Sequence, residues 1–566
     1  MRRAFLTLIA FSFCASIKAQ SLSYSWAKVA GGSGYSMGGA SIARDEQGFI
    51  YVTGIFEDTI DFDPGPGVHN LVAPVPGKYS GFILKLDPSG NYVWARSLNG
   101  IPGSNNFVIC RAIAIDRLGS VYTTGYFVGT DDFDPSSGTY TMTSNYGDPF
   151  ISKLDALGNF VWAKSFQGPL YAAGDAHSIS IDEDGNIYTT GNFYNGTMDF
   201  DPGSGVINLT PSGTNDAFVS KLDINGNGIW AKQIGGTASS EIVGSSVKAT
   251  NGSVYCTGNF MGNANFGTTS LYGSGANQVY VARYDSLGAC AWARCFGGTG
   301  DDRGYSVTSD SVGNVYTTGL FNFTCDFDPG TGTLNYTSTG DYDIFVSKLD
   351  SAGNNLWAKT FGGNGYDSGQ CIVVDDGYIY TTGWFYDTVD FDPGPSVKNL
   401  CTPTGDNAFV LKLDDNGNYV WAGDITASNS GGGGAGYSIL VDNAGAVFTT
   451  GISGAECDFD PGPATDSLWG NWIFVHRMNN IPSSIEEFEI TGNLKLFPDP
   501  ASDVINIKTS FENFSISIKD VLGREVFSGR SSVNETEISI SDLTPGIYFI
   551  IVREKEKPVF AKFIKN

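Results

Sequence analysis

Apolar and polar side chains exchange places at nearly every step along this chain, and short polar turns break the alternation. Residues 177–232 show the pattern well. Ser178-Ile-Ser-Ile-Asp182 reads as a strand, and Glu183-Asp-Gly-Asn186 as a hairpin turn. Ile187-Tyr-Thr-Thr-Gly-Asn-Phe193 is a second strand, rich in β-branched and aromatic residues. A loop with Asp199-Phe-Asp-Pro-Gly203 precedes a third strand, Phe218-Val-Ser-Lys-Leu-Asp223. After Asn225-Gly-Asn227, Ile229-Trp-Ala-Lys232 reads as the fourth. Four antiparallel strands joined by tight turns make a propeller blade.

The unit recurs. Trp-Ala followed by Lys, Arg or Gly stands at Trp26, Trp94, Trp162, Trp230, Trp292, Trp357 and Trp421, at intervals of 68, 68, 68, 62, 65 and 64 residues. A Thr-Gly pair keeps step at Gly54, Gly125, Gly191, Gly258, Gly319, Gly383 and Gly451. The third-strand run begins at Phe82, Phe150, Phe218, Tyr280, Phe345, Phe409 and Phe474. Such a period signals a repeat architecture. Its surplus over the usual 40–50 residues sits in the Asp-Phe-Asp-Pro-Gly segment and in the Gly-rich stretch after each Trp.

The two ends are complementary. Tyr24-Ser-Trp-Ala-Lys28 is a fourth strand without a unit, and the last unit, ending near Met478, lacks a fourth strand. The expected fold is all-β: a seven-bladed propeller over residues 21–480 closed by its N-terminal strand, a linker at 481–492, and a small Ig-like β-sandwich over 493–566. Closure protects strand edges, whereas an open array needs caps.

Composition adds the compartment. Arg2 and Arg3, the apolar run Ala4–Ala15 and small Ala19 predict a secretory signal over residues 1–20, cut after Ala19 or Gln20. Bulky Phe13 before Cys14 argues against lipidation. No later apolar run reaches the ~20 residues of a membrane helix. The net charge is −26, yet the segment from Leu494 onward holds ten basic and ten acidic residues. The part between signal and tail therefore carries about −29, which repels phosphate backbones and attracts cations. Eight cysteines remain, at 110, 256, 290, 295, 325, 371, 401 and 457, without metal or disulfide spacing. They read mostly as buried small apolar residues.

Six units carry Asp-Phe-Asp-Pro, with paired carboxylates Asp61/Asp63, Asp132/Asp134, Asp199/Asp201, Asp326/Asp328, Asp390/Asp392 and Asp458/Asp460. The remaining unit has Asn265-Phe-Gly267. One reading is structural: Phe anchors the loop, Asp caps it, and Pro-Gly makes a type II turn. The other is Ca²⁺, which takes six to eight oxygens and suits Asp-x-Asp with nearby carbonyls. Asp182–Asn186 and Asp414–Asn418 start like calcium loops but lack Glu at the twelfth position, so they read as hairpin turns. Asp87–Trp94 distantly resembles the Asp-box turns of sialidase-like propellers, at a different spacing. The propeller region has only five Glu, at 46, 57, 183, 241 and 456, and scattered Arg. His69, His177 and His476 occupy unrelated repeat positions, and no Gly-x-Ser-x-Gly elbow occurs.

Phe296-Gly-Gly-Thr-Gly-Asp-Asp302, Gly313-Asn-Val-Tyr-Thr-Thr-Gly319 and Asp343-Ile-Phe-Val-Ser-Lys-Leu-Asp350 resemble bacterial β-propeller repeats of the SBBP type, through residues 24–478. That family implies shape and no common activity. After Asn480 the period stops. Short strands at Val504–Lys508, Phe514–Lys519, Glu537–Ile540 and Ile547–Val552 then predict a compact sandwich. Leu496-Phe-Pro-Asp-Pro-Ala-Ser-Asp503, Ile518–Arg524, Leu543-Thr-Pro-Gly-Ile-Tyr548 and the basic end Lys562–Asn566 resemble the type A C-terminal sorting domain of type IX secretion. Asp499 stands where Asn is usual. The resemblance implies handling by the type IX machinery, export across the outer membrane, removal of the tail, and release or surface attachment. The expectation is a secreted or cell-surface, non-catalytic binding or adhesion protein whose partner is an extracellular glycan or protein. A glycan-active hydrolase using paired Asp is the alternative, and a structural surface scaffold is the third reading.

Overall fold

A computed structural model describes residues 21–32, 36–101, 106–169, 171–274, 276–427, 433–454, 456–462, 464–469, 472–481, 494–497, 501–509, 511, 513–520, 525–544, 546–554 and 557–565. Their regular structure is all β-strand. The expected signal segment 1–20 and the linker after Ile481 lie outside the described residues. Ser21–Ile481 forms one compact unit, and the tail from Pro482 belongs to a second.

Each repeat is a four-stranded antiparallel set. In the third, Ala173–Ile181, Ile187–Tyr194, Asp216–Leu222 and Gly228–Ile234 lie side by side in chain order. The first strands of the seven repeats are Ser36–Arg44, Phe107–Ile115, Ala173–Ile181, Glu241–Thr250, Arg303–Ser309, Ser368–Asp375 and Gly434–Val441. In the last repeat the fourth place is taken by Ser21–Gly32, which pairs antiparallel with Trp472–Ile481. Leu22 faces Asn480 there, and Lys28 faces Val475. The borrowed strand is longer than the expected Tyr24–Lys28 because it continues into the next repeat, where Gly31 pairs with Asp61.

That continuation explains the long period. The surplus after each second strand is a two-stranded ribbon and not a loose loop. Its first strand pairs with the fourth strand of the preceding repeat: Asn99 with Asp132, Gln167 with Asp199, Gly235 with Asn265, Gly297 with Asp326, and Thr426 with Asp458. The Phe between the two Asp is the wedge. Phe62, Phe133, Phe200, Phe327, Phe391 and Phe459 are at most 1% exposed. Phe200 sits 4.9 Å from Phe166 of the preceding repeat and 4.8 Å from Phe218 of its own. A buried Phe contributes about 1.5–3 kcal/mol by area, so the wedge secures the ribbon.

The Trp motif has a second inter-repeat role. Each third-to-fourth hairpin turns on a Gly with positive φ, such as Gly226 (φ 74) and Gly288 (φ 78). A Cβ on Gly226 would stand 3.0 Å from Trp162 of the preceding repeat, and one on Gly288 2.8 Å from Trp230. The indole thus lies flat against the bare backbone. Trp230 Nε1 donates to the Ser286 carbonyl at 3.1 Å, and Trp292 Nε1 to the Ser351 carbonyl at 3.0 Å. The basic residue two places on adds donors: Arg96 Nε reaches the Gly158 carbonyl at 2.9 Å, and Lys164 Nζ the Gly226 carbonyl at 3.0 Å. After Trp421 the basic residue is replaced by Gly423. In the next repeat that hairpin does not exist, because two separate strands, Trp472–Ile481 and Ser21–Gly32, take its place.

The tail has two antiparallel sheets over one core. Leu494–Phe497, Val504–Thr509 and Glu535–Ser539 form one; Glu525–Ser531, Phe514–Asp520, Gly546–Glu554 and Lys557–Lys565 form the other. Ile505, Ile507 and Ile538 of the first meet Ile516, Ile518, Ile550 and Val552 of the second. Three strands beyond the expected four appear, at 494–497, 525–531 and 557–565. Lys, Pro and Gly interrupt their alternation. Among the cysteines, Cys110, Cys256, Cys325 and Cys457 are buried, Cys290, Cys295 and Cys371 are partly exposed, and Cys401 is exposed; all eight are unbridged. The expectation of mostly buried thiols holds for four.

Removal of Ser21–Gly32 bares one edge of Trp472–Ile481 and uncovers core shared with Leu22, Ala27 and Ala30. We expect the truncated protein to lose about 3 kcal/mol or more of stability, read by urea unfolding. An unchanged midpoint would show that the pairing is energetically idle.

Candidate functional site

Two residues of the Thr-Gly signature build the site. The Thr hydroxyl donates to the carbonyl of the third-strand aromatic residue: Thr53 to Phe82, Thr190 to Phe218 and Thr382 to Phe409 at 2.6 Å, and Thr257 to Tyr280, Thr318 to Phe345 and Thr450 to Phe474 at 2.7 Å. The Gly makes room for the first strand. A Cβ on Gly191 would lie 1.9 Å from the Asp175 carbonyl, and one on Gly319 1.9 Å from the Arg303 carbonyl. Opposite each such Gly the first strand takes one extra residue, a β-bulge, as between Ala176 and Ser178 or Gly304 and Ser306. A bulge re-aims its extra side chain. The extra residues are Ala40, Arg111, His177, Ser245, Tyr305, Gln370 and Tyr437.

These side chains converge. Arg111, His177, Ser245, Tyr305 and Gln370, from repeats two to six, line a single cavity of ≈ 490 Å³ with Glu241, Val243, Asn259, Asn277 and Arg303. Where the residue after the bulge is Ser, it ties neighbouring first strands together. Ser41 Oγ accepts from Ile113 N at 3.3 Å, Ser246 Oγ from Val307 N at 3.3 Å, and Ser306 Oγ from Ile372 N at 3.2 Å. Ser438 Oγ of the last repeat accepts from Ile42 N of the first at 3.3 Å.

Both arginines of the cavity are paired with carboxylates, while Glu241 is exposed. Arg111 reaches Asp175 at 2.9 Å, and His177 Nε2 lies 3.3 Å from the same carboxylate. His177 Nδ1 donates to the Gly244 carbonyl at 2.9 Å. Burial alone would raise the Asp175 pKa, but His177 and Arg111 outweigh it and hold the carboxyl below its usual range. Asp301 holds Arg303 at 2.7 Å and takes Asn277 Nδ2 at 2.7 Å. Burial, helped by nearby Tyr366, pushes the Tyr305 hydroxyl up to about 12, so it stays a neutral donor.

The Asp-Phe-Asp-Pro pairs lie elsewhere, on the ribbons. Asp199 Oδ1 accepts from Asp201 N at 3.0 Å and Ile207 N at 2.8 Å; Asp201 Oδ1 accepts from Gly203 N and Gly228 N, both at 2.8 Å. The same pattern holds at Asp61 and Asp63, Asp132 and Asp134, Asp326 and Asp328, Asp390 and Asp392, and Asp458 and Asp460. Asn265 does the same for Gly267 N at 2.9 Å. The type II turn is corrected: Gly65, Gly203, Gly330 and Gly394 do not take positive φ. The second Asp side chain bonds the amide after Pro and closes the turn itself, which is why Ser136 serves where others have Gly. Among the described residues no three His, Cys, Asp or Glu gather as a metal site. His69 lies 3.3 Å from Asp63, and His476 is buried against Tyr24, so the histidines are dispersed. Asp182 and Asp414 cap hairpins: their Oδ1 atoms accept from Asn186 N and Asn418 N at 2.8 Å.

Sequence reading missed the cavity. The bulged residues share no side-chain type, so only the recurring Gly marks their position.

With this geometry in place the chain can be set beside known proteins. Residues 26–54 and 291–320 match the Beta-propeller repeat, and residues 495–566 match the Secretion system C-terminal sorting domain. The chain carries β-propeller repeats and ends in a type IX sorting domain. It is a secreted or cell-surface β-propeller protein. No helix among its described residues is long and apolar enough to cross a membrane. An uncharacterized WD repeat-containing protein of Acanthamoeba polyphaga mimivirus is 25% identical over 404 residues, 59% of this chain and 28% of that protein. The regulatory protein FlaEY of Caulobacter vibrioides is 28% identical over 162 residues, 28% of this chain and 17% of that one. The chain thus spans under a third of either relative. Two solved structures align with TM-scores of 0.22, too low to support any argument. One is PorZ, described as an essential bacterial surface component of the type-IX secretion system of Porphyromonas gingivalis, at 11% identity over 93% of this chain and 81% of that one. The other is a protein of unknown function from Bacteroides caccae, at 10% identity over 53% and 93%.

Two predictions follow from these carboxylates. Asp199→Asn keeps an oxygen for both amides, so it should cost under about 0.5 kcal/mol, whereas Asp199→Ala should cost about 1–2 kcal/mol. Thermal melts in millimolar Ca²⁺ and in chelator should coincide for the wild type; a clear rise in Tm with Ca²⁺ would instead assign the pairs to calcium.

The second concerns pH. Burial pushes Asp131 up to about 8, Asp148, Asp302 and Asp367 to about 7, and Asp343 to about 6. Each binds its proton more tightly folded than unfolded, so stability rises as pH falls through that window. At Asp87, Asp155 and Asp350 burial opposes ionisation, but the turn amides and Asn91, Asn159 and Asn354 prevail and lower the pKa, so stability is lost again as pH drops below about 4. Calorimetry should find a higher Tm at pH 6 than at pH 8. Asp131→Asn should raise Tm at pH 8 and flatten the slope; an unaltered slope would contradict the assignment.

Proposed function

We propose that the seven repeats close into a ring and that the bulged residues at its axis form a non-catalytic binding site for an extracellular ligand. Closure is supported at two levels. Ser21–Gly32 completes the last repeat, and the last first-strand Ser438 bonds the first one's Ile42 as neighbours elsewhere do. Domain limits of 21–480 for the propeller and 493–566 for the sorting domain accord with this reading, as does an Ig-like form for the tail. The sorting domain hands the protein to the type IX machinery, and the ring is its cargo.

One observation carries the binding reading: side chains from five repeats meet in one cavity, although each repeat supplies only a single bulged residue. They offer a guanidinium, an imidazole, hydroxyls and an amide, all suited to holding a polar ligand from several sides. Adhesion is the surface consequence of such a site. The hydrolase alternative rests on the paired Asp, and one oxygen of each is occupied by backbone amides on the ribbons. A glycan array read together with product analysis tests the reading. Saturable binding without product, weakened roughly tenfold by Gln370→Ala or Arg111→Ala, is expected. Release of product from any bound glycan would favour the hydrolase, and absence of any ligand would favour a surface scaffold.

A further inference from the structure

Aromatic rings stand close in sequence to the strands that line the cavity. In one group Tyr342, Tyr366, Trp384 and Tyr437 run in sequence across repeats five to seven. Their ring centroids are separated by 4.7, 6.3 and 6.3 Å, and Tyr366 is parallel to Trp384 within 5°. Tyr437 is the bulged residue of the last repeat, and at the strip's other end the Tyr342 hydroxyl donates at 3.4 Å to Asp301, the partner of the cavity's Arg303. Tyr366 is 40% exposed. In the other group Tyr146 and Tyr171 pair at 5.0 Å with 48% and 57% exposure. Tyr171 is held at φ 80, a left-handed conformation that is strained for a non-glycine residue. Both groups sit at the same connections: before a third strand (Tyr146, Tyr342) and before the next first strand (Tyr171, Tyr366).

Partly exposed rings in a row are placed to be covered by flat, weakly polar faces. The groups beside them are mostly amides and hydroxyls, Gln370, Asn259, Asn277, Ser245 and Tyr305, with one exposed carboxylate, Glu241, that disfavours an anionic ligand. The cations are neutralised, Arg111 by Asp175 and Arg303 by Asp301. Around them lies a part of the chain with about −29 net charge, which repels polyanions. A neutral polymer of hydroxyl-bearing rings satisfies all of these conditions at once. We propose that the cavity and the two aromatic groups form one track for a neutral polysaccharide, whose sugar rings stack on Tyr366 and Trp384 while their hydroxyls bond to the cavity amides. This rests on the binding reading above and names its ligand class.

Affinity electrophoresis of the full chain in gels containing dextran, mannan, xyloglucan or alginate tests it. Retardation by at least one of the three neutral polymers and none by the anionic alginate is expected. Trp384→Ala and Tyr366→Ala should each weaken that binding about tenfold, while Trp384→Phe and Tyr366→Phe, which keep a ring, should restore most of it. Tyr272→Ala, which removes a 73% exposed ring on a distant ribbon, should change nothing. Retardation by alginate, or neutral-polymer binding indifferent to Trp384→Ala and Tyr366→Ala, would overturn the proposal. So would failure of all three neutral polymers. If Gln370-dependent binding to some other glycan then persisted on the array, the track would fall and the binding module would stand.

Discussion

The fold depends on one steric exchange: a glycine with no Cβ faces a carbonyl that no other residue could tolerate. At Gly125, Gly191, Gly258, Gly319, Gly383 and Gly451 an added Cβ would approach a first-strand carbonyl within 1.8–1.9 Å. Real side chains do not survive at such distances. The glycine therefore admits the bulge, and the bulge presents one residue per repeat. The neighbouring Thr spends its hydroxyl on the third strand and holds the glycine in register. Backbone chemistry is thus fixed at every repeat, while the displayed side chain is free to be Arg, His, Ser, Tyr or Gln. A scaffold of this kind separates stability from recognition.

Neighbouring repeats are joined at three places by different physics. Beside the bulges, Ser hydroxyls accept amides of the next first strand. At the hairpins, an indole lies on a glycine turn and a basic side chain donates to its carbonyls. On the ribbons, a Phe wedge and a backbone pair clasp the repeat before. Each contact is modest, about 1 kcal/mol for a hydrogen bond and somewhat more for a buried ring. Their sum grows with the number of repeats, as expected for arrays held by nearest-neighbour terms.

Much of the fold was legible because repetition averages out local ambiguity. Seven copies of Trp-Ala, Thr-Gly and Phe-Val-Ser-Lys fix four strands per repeat, and the unmatched ends foretell the pairing of Ser21–Gly32. Two readings fell short for physical reasons. Pro-Gly suggested a type II turn, but the preceding Asp carboxylate captures the next amide first, as Asp201 does for Gly203, and the glycine needs no positive φ. The ribbon was read as a loop because its strands are only two or three residues long, as at Met198–Asp199 and Asn208–Leu209. Alternation cannot be recognised over two residues. The cavity was invisible for a different reason: its residues recur in position and not in kind.

The charge imbalance finds its place in the same scheme. Basic residues are scarce, and the repeats use them as mortar. Lys85 donates to the Ala156 carbonyl, Arg96 to Gly158, Lys164 to Gly226 and Arg294 to Gly353, each across a repeat boundary. Those cations sit against aromatic rings and carbonyls, not against the ribbon carboxylates; Lys85 lies 4.3 Å from the Phe49 ring and Arg96 5.2 Å from Trp94. Carboxylates on the ribbons and hairpins are matched by backbone amides, whose dipoles stabilise them without cancelling net charge. A surplus of negative charge is therefore the by-product of a construction in which turns are tied by Asp and boundaries by Lys and Arg. Ion pairs form at the bulged strands, Arg111 with Asp175 and Arg303 with Asp301, and between a third strand and the next repeat's hairpin, Lys348 with Asp415 at 2.7 Å. In the cavity shared by five repeats both arginines are thus held by carboxylates, which leaves hydroxyls, amides and the exposed Glu241 to face a ligand.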